Sequence, residues 1–219
     1  MTSAIVNRTG TLQAPQLDYI LLDGSSSMSH KWWDTIGALE AYIDVLKSQN
    51  VNSQGIIQVF DSVELDYIAR DDVLSNWKPL VDVGMHGGMT PLYDAINLMV
   101  RKLAQLDPPK CSIVIVTDGD ENSSNHTTAD QAKSLLDWCR AKGWQVTFLG
   151  ADFNNAQQAR MLGANASNSV GVRKELLLEA GKTLGEKRLR HARNDEDINF
   201  SEDERQNFAG YLTDRNGGK

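Results

Sequence analysis

A short apolar segment near the start of the chain ends abruptly in oxygen-bearing side chains. Leu21 and Leu22 are followed by Asp23, and serines occupy positions 25 to 27. Oxygen donors at the alternate positions 23, 25 and 27 suit a hard cation such as Mg²⁺ or Mn²⁺, which prefers carboxylate, hydroxyl and water oxygens to thiolate or imidazole. One loop cannot surround such a cation, so we expect other loops to complete the site.

Two later loops carry donors of the same kind. Thr90 closes the glycine-bearing segment Gly87-Gly88-Met89, and Asp118 follows the strongly apolar run 111–117. Ligands of open parallel α/β sheets bind just outside the carboxyl ends of the strands, where the connecting loops converge. Three hydroxyls and two carboxylates together there would suit an octahedral cation that retains some water. The predicted metal ligands are Asp23, Ser25, Ser27, Thr90 and Asp118.

Apolar runs and helical patterns alternate along the chain, which indicates strands connected by helices. The predicted strands span residues 17–22, 55–60, 63–70, 111–117, 144–150 and 169–172. The predicted helices lie within residues 36–46, 91–106, 128–139, 155–162 and 176–193. The segment 63–70 alternates apolar and polar residues, as a half-exposed edge strand does. This order predicts a three-layer α/β fold, with a doubly wound, mostly parallel sheet and helices on both faces.

Local patterns predict where several helices begin. Thr90 and Pro91 combine a threonine N-cap with a proline at the first helical position. Two further pairs have the spacing of a capping box, namely Thr128 with Gln131 and Ser201 with Glu204. The second box predicts a short helix that either docks back on the domain or is offered to a partner.

The chain of 219 residues, with 41% hydrophobic content, is long enough for one substantial domain. We expect a flexible N-terminal arm over residues 1–15, the domain over 16–193 and an acidic C-terminal tail over 194–219. Residues 173–219 contain ten basic and ten acidic side chains, so the net charge of −7 belongs to residues 1–172.

The charge balance of 22 basic against 29 acidic residues argues against a nucleic-acid or membrane partner. Only Cys111 and Cys139 are present, and we expect two reduced, buried thiols rather than a disulfide. The first residues show no signal-peptide pattern, and no apolar run approaches the length of a membrane span. A cytoplasmic protein is therefore expected, while the sequence indicates no oligomeric state.

The three donor loops together match a known motif, Asp-x-Ser-x-Ser followed by a distant Thr and a distant Asp. Here the motif reads Asp-Gly-Ser-Ser-Ser at 23–27, Gly-Met-Thr-Pro-Leu at 88–92 and Val-Thr-Asp-Gly at 116–119. Over residues 16–190 the chain resembles the von Willebrand factor A (VWA) domains that carry a metal-ion-dependent adhesion site (MIDAS), in particular stand-alone bacterial and phage members. The resemblance implies a six-stranded sheet with one antiparallel edge strand, in agreement with the edge strand predicted at 63–70.

The resemblance also implies roles for the site residues. The hydroxyls of Ser25, Ser27 and Thr90 would bind Mg²⁺ (or Mn²⁺) directly, and Asp23 and Asp118 would bind it largely through water. An Asp or Glu of a protein partner would fill the remaining position, since few charged direct ligands leave the metal electrophilic. The implied function is that of a non-enzymatic, Mg²⁺-dependent protein-binding domain, an adaptor within a larger assembly.

Two other functions stay open from the residues alone. A bound hard cation can also act as a Lewis acid or activate water, as in metal-dependent hydrolases and phosphoryl-transfer enzymes. Against this, no obvious general base accompanies the site: Asp118 is committed to the metal, and Asp120, Glu121 and His126 are only nearby. The third alternative is a structural component with an unused metal site, recruited through its C-terminal tail.

Several further residues are candidates for the rim of the site, where a partner would bind. These are Trp33, His86, Asp120 and Glu121. An exposed Trp would be a natural binding anchor, and the alternative is that Trp32 and Trp33 are both half-buried in packing. The basic run from Lys187 to Arg193 is predicted to be a solvated helix face, with a docking patch as the alternative.

Overall fold

The computed structural model describes residues 16–119, 121–151 and 156–209. The strands are β1 (Gln16–Asp23), β2 (Ser53–Phe60), β3 (Tyr67–Val73), β4 (Cys111–Thr117), β5 (Gln145–Ala151) and β6 (Ser169–Val172). The α-helices are α1 (Trp32–Ser48), α2 (Leu92–Leu106), α3 (Ala129–Ala141), α4 (Ala156–Met161), α5 (Leu177–Asn194) and α6 (Glu202–Phe208). The predicted N-terminal arm, 1–15, lies outside the described residues. None of the described helices is both long and apolar enough to cross a membrane.

The six strands form one sheet in the order β3-β2-β1-β4-β5-β6. β3 pairs with β2 in the antiparallel direction, and every other neighbouring pair is parallel. The predicted mostly parallel sheet with one antiparallel edge strand is therefore confirmed. The edge strand begins at Tyr67 rather than at residue 63, because Asp61 first closes a turn by accepting hydrogen bonds from the backbone N–H groups of Val63 and Glu64.

Helices cover both faces of the sheet, as the alternation of buried side chains along β1 requires. Ile20 and Leu22 pack in the same core as residues of α1 and α5. Tyr19 and Leu21 point the opposite way, into a second core shared with α2 and α3. Cys111 and Cys139 are free and buried, as predicted. With both faces covered, the loops at the carboxyl ends of the strands remain the natural place for a site.

The basic run on α5 is only partly solvated: Arg190 and Arg193 are exposed as the sequence predicts, but two of its members are buried, which corrects the expectation for them. Arg188 is 0% exposed and donates two hydrogen bonds to the carboxylate of Asp18 near the start of β1, and Lys187 is also buried. Desolvation opposes the charge of Arg188, and the carboxylate of Asp18 restores it, so that the pKa of the guanidinium lies above its ordinary value. Hydrophobic periodicity did not reveal this pair, because Asp18 lies 170 residues earlier in the chain.

The segment after α5 packs back on the same side of the sheet. Phe200 and Phe208 are buried in the core that α1 and α5 share. The backbone N–H of Arg173 donates to the carbonyl of Phe208 at 2.9 Å. Both predicted capping boxes are present, at the starts of α3 and α6. The short helix α6 therefore docks on the domain instead of extending away from it.

Candidate metal centre

Asp23 ends the central strand β1 and is completely buried. Its Oδ1 accepts a hydrogen bond from the backbone N–H of Ser25 at 2.8 Å, and its Oδ2 accepts one from the hydroxyl of Thr117 at 2.6 Å. Burial raises the pKa of Asp23 to about 6, although the hydrogen bonds from Thr117 and Ser25 favour the charged form. Asp118 adds a repulsive contribution, so a nearby cation would stabilise the carboxylate.

Ser25 and Ser27 of the first loop connect Asp23 to the third loop through a chain of hydrogen bonds. The Ser25 and Ser27 hydroxyl oxygens lie 3.0 Å apart. The Ser27 hydroxyl donates to Oδ1 of Asp118 at 2.6 Å. Asp118 follows β4, the strand beside β1, so the parallel register of these strands brings both loops to the same edge.

Thr90 reaches the same place from the second loop, but it does not cap α2 as the sequence predicts. Pro91 occupies the N-cap position, and no side chain of that residue caps the helix. The N–H groups in the first turn of α2 find acceptors in another loop: the Glu121 carboxylate accepts from the N–H of Tyr93, and the Ser124 hydroxyl accepts from the N–H of Asp94. The hydroxyl of Thr90 is therefore not needed as a helix cap, and the residue is only 2% exposed.

The space beside Gly119 shows that these hydroxyls converge. A Cβ atom added to Gly119 would lie 3.8 Å from Oγ of Ser27 and 3.9 Å from Oγ1 of Thr90. A side chain there would therefore contact both hydroxyls. Within the described residues, no group of three His, Cys, Asp or Glu side chains could hold a metal, so the donor set depends on hydroxyls. Such a set suits a hard cation.

Glycines allow the second loop to rest directly on the first. The N–H of Gly87 donates to the carbonyl of Gly24 at 3.0 Å, and the N–H of Ser26 donates to the carbonyl of Gly88 at 3.0 Å. Gly87 and Gly88 have φ angles of 90° and 95°, a conformation that other residues rarely adopt. Backbone contacts thus fix how the loop of Thr90 sits against that of Ser25.

Three contributors to this geometry were not identified from the sequence. Thr117 orients Asp23, Asn122 accepts a hydrogen bond from the N–H of Thr90 at 2.8 Å, and Lys31 forms an ion pair of 2.9 Å with Asp118. A hydroxyl at the end of the apolar run 111–117 was a usable signal for Thr117. Lys31 and Asn122 carry no comparable pattern, because their contacts depend on how distant loops meet.

The predicted rim residues have different surroundings. Trp33 is 62% exposed, whereas Trp32 is buried and donates to the carbonyl of Val83. His86 is partly exposed and lies 3.2 Å from the buried carboxylate of Asp61. The carboxylate of Glu121 accepts hydrogen bonds from the 121–124 segment and from the start of α2. Asp120 lies outside the described residues.

Replacing Thr117 by valine will lower the free energy of unfolding by about 1–3 kcal/mol, the usual cost of leaving a buried polar group unsatisfied. The substitution removes the hydroxyl that donates to Oδ2 of Asp23. Thr147→Val is the matched control, because Thr147 lies in β5, is equally buried, and its hydroxyl has no partner among the described residues. Urea denaturation should show Thr147→Val to be neutral or stabilising, and equal losses in both variants would contradict this role of Thr117.

The family model for the von Willebrand factor type A domain matches residues 19–178, which contain all five predicted metal ligands. No curated protein sequence matches the chain.

Solved structures share the fold at low sequence identity. The pilus adhesin SpaC from Lactobacillus rhamnosus GG, in its open conformation, aligns with a TM-score of 0.68 and 10% identity, over 83% of this chain and 31% of that chain. The corresponding domain of the type V pili tip protein Mfa5 from Porphyromonas gingivalis aligns with a TM-score of 0.63 and 8% identity, over 85% and 99%. Manganese-loaded TRAP protein from Plasmodium vivax aligns with a TM-score of 0.53 and 14% identity, over 76% and 71%. The chain thus spans about a third of the length of SpaC.

Proposed function

Because this chain belongs to the von Willebrand factor type A domain family, we propose that it is a Mg²⁺-dependent protein-binding domain that acts as an adaptor in an assembly. The cation, Mg²⁺ or Mn²⁺, bridges the site to an Asp or Glu of a protein partner. The observation that supports this most strongly is that the hydroxyls of Ser27 and Thr90, from two loops, approach the same point beside Gly119 in the third loop. A cytoplasmic location and a stand-alone bacterial or phage type belong to the same proposal.

The hydrogen bonds already present support two different roles among the five residues. Both oxygens of Asp23 accept hydrogen bonds from within the protein. One oxygen of Asp118 accepts a hydrogen bond and the other forms an ion pair. Carboxylates engaged in this way suit contact with a metal through water. The hydroxyl oxygens of Ser25, Ser27 and Thr90 are then the ligands that bind the metal directly. With neutral direct ligands, the bound cation would keep enough positive charge to attract an outside carboxylate.

Binding is the proposed activity rather than catalysis. The carboxylates of Asp118 and Glu121 both accept hydrogen bonds within the protein, and Asp118 also forms an ion pair. Neither carboxylate is therefore well placed to act as a general base. Domains of this family commonly mediate adhesion between proteins. The relatives described above include a pilus adhesin and a pilus tip protein by name. These similarities support a protein as the partner without identifying it.

Calorimetric titration with Mg²⁺ and Mn²⁺ tests the metal site. We expect wild type and Thr147→Val to bind either ion, and Thr90→Val to bind about tenfold or more weakly, since each tenfold loss corresponds to about 1.4 kcal/mol. Thr147→Val controls for the loss of a buried threonine hydroxyl, since Thr147 lies in β5 and not in the three loops. Unchanged affinity in Thr90→Val would contradict the assignment. Affinity capture with and without EDTA would then test whether a partner depends on the metal.

A further inference from the structure

Lys31 places a positive charge directly against the candidate metal centre. It lies between the 3₁₀ segment Ser26–His30 and the start of α1. Its ammonium is 2.9 Å from Oδ2 of Asp118 and donates to the carbonyl of Ala151 at 3.3 Å. Only 14% of the Lys31 side chain and 2% of the Asp118 side chain are exposed. This ion pair is therefore poorly screened by solvent, in contrast to an ordinary surface pair.

The contact with Lys31 completes the pairing of Asp118. One oxygen of the Asp118 carboxylate accepts the hydrogen bond from Ser27, and the other forms the ion pair with the ammonium of Lys31. Among the ion pairs of the described residues, Lys31 is the basic group that contacts Asp118, and Asp23 has no basic partner there. Two carboxylates that face one site repel each other unless a cation compensates them. Lys31 supplies that compensation from within the chain.

We propose that Lys31 is the internal counter-ion of the metal-free site and that it sets the metal affinity by competing with the divalent cation for Asp118. This inference rests on the proposed function. A metal beside Asp118 and an ammonium on the same carboxylate repel each other, and the low exposure of the pair keeps this repulsion strong. Metal binding must therefore weaken the Lys31–Asp118 pair, which lowers the net affinity.

This arrangement separates folding from metal binding. With Lys31 in place, the hydrogen bond from Ser27 and the ion pair from Lys31 would both hold Asp118 when no metal is bound. The site would then fill and empty as the concentration of the divalent cation changes, while the domain stays folded. A site in which the metal alone balanced the carboxylates would instead lose loop order when the metal left.

The test compares Lys31→Met with wild type and with Lys174→Met. Lys174 is the matched control because it is also near this end of α1, where it contacts Asp34 and the carbonyl of His30, but it does not contact Asp118. Lys31→Arg keeps the charge. Two measurements are made on each protein: Mg²⁺ affinity by calorimetry, and the melting temperature in EDTA and in saturating Mg²⁺.

We expect Lys31→Met to bind Mg²⁺ about tenfold more tightly than wild type, a factor that corresponds to about 1.4 kcal/mol. In EDTA it should melt below wild type, and saturating Mg²⁺ should reduce that difference. Lys174→Met should match wild type in affinity, and Lys31→Arg should lie closer to wild type than Lys31→Met does. If Lys31→Met does not fold in EDTA, Lys31→Gln takes its place.

Two results would overturn the inference in distinguishable ways. If wild type binds Mg²⁺ and Lys31→Met binds it equally or more weakly, Lys31 does not compete with the metal, and the proposed function stands. If neither protein binds Mg²⁺, the proposed function is contradicted together with this inference. An equal gain in affinity for Lys31→Met and Lys174→Met would show a general effect of net charge, which also contradicts a specific role of Lys31.

Discussion

Replacing Arg188 by methionine will lower the free energy of unfolding by about 3–5 kcal/mol, the typical cost of removing one partner of a buried ion pair. Nε and Nη2 of Arg188 donate to Oδ1 and Oδ2 of Asp18 at 2.7 and 3.1 Å. The hydroxyls of Tyr42 and Ser53 also donate to this carboxylate, so that it stays in place when the guanidinium is lost. The variant therefore leaves a buried charge without its counter-charge, and chemical denaturation measures the loss.

The double variant Asp18→Asn with Arg188→Met is the control for this prediction. Asparagine keeps a carbonyl oxygen for the hydroxyls of Tyr42 and Ser53 but carries no charge. The double variant should therefore be more stable than Arg188→Met alone, because replacing both members of a buried pair is often close to neutral. A loss below about 1 kcal/mol in the single variant, as for an exposed pair, would contradict the buried role of Arg188.

Gly181→Ala will destabilise the packing of α5 against α1 by about 2 kcal/mol. A Cβ atom on Gly181 would lie far closer than 3.0 Å to the backbone carbonyl of Ala38, so the two helices would have to separate. Overpacking of this kind lowers the free energy of unfolding by about 1–3 kcal/mol or more. The better helix propensity of alanine offsets about 1 kcal/mol of this loss. A Cβ on Gly185 would similarly lie 2.9 Å from the carbonyl of Tyr42.

Gly37→Ala is the matched control, because Gly37 also lies within a helix of this pair. A Cβ atom there would only touch a methyl group of Leu178 at 4.0 Å. Its substitution should therefore stabilise the protein by about 0.5–1 kcal/mol, the helix-propensity gain alone. Urea midpoints that shift in opposite directions for Gly181→Ala and Gly37→Ala support close helix packing. Shifts in the same direction would contradict it.

Local sequence patterns predicted the fold because its strands and helices bury the apolar residues that form those patterns. The run 111–117 became β4 and 169–172 became β6 without any change of bounds. The edge strand was misplaced because the turn closed by Asp61 takes up the residues before Tyr67. A side-chain hydrogen bond to a turn was not visible in the alternation of apolar and polar residues.

Burial of polar side chains was harder to predict than burial of apolar ones. Lys187 and Arg188 look like a solvated face by residue type alone, yet their partners lie elsewhere in the chain: Asp18 for Arg188 and Glu204 for Lys187. The N-cap predicted for Thr90 failed for the same reason, since Glu121 and Ser124 satisfy the start of α2 from another loop. Local rules cannot anticipate a partner that only tertiary contact supplies.

The candidate site was more accessible to sequence reasoning because its donors stand at the ends of strands. Asp23 is the last residue of β1 and Asp118 directly follows β4, its parallel neighbour, so the topology alone brings them to one edge of the sheet. Lys31 was missed because nothing near it in sequence indicates that its ammonium meets Asp118. The counter-ion therefore became apparent only from the distances between loops.

The most direct test of the metal site is a crystal structure of the protein with Mn²⁺, in which anomalous scattering locates the ion. We predict one strong peak at about 2 Å, the usual metal–oxygen distance, from the hydroxyl oxygens of Ser25, Ser27 and Thr90. Asp23 and Asp118 should lie one water molecule further away. A peak coordinated by other residues, or no peak in this space at saturating Mn²⁺, would contradict the account.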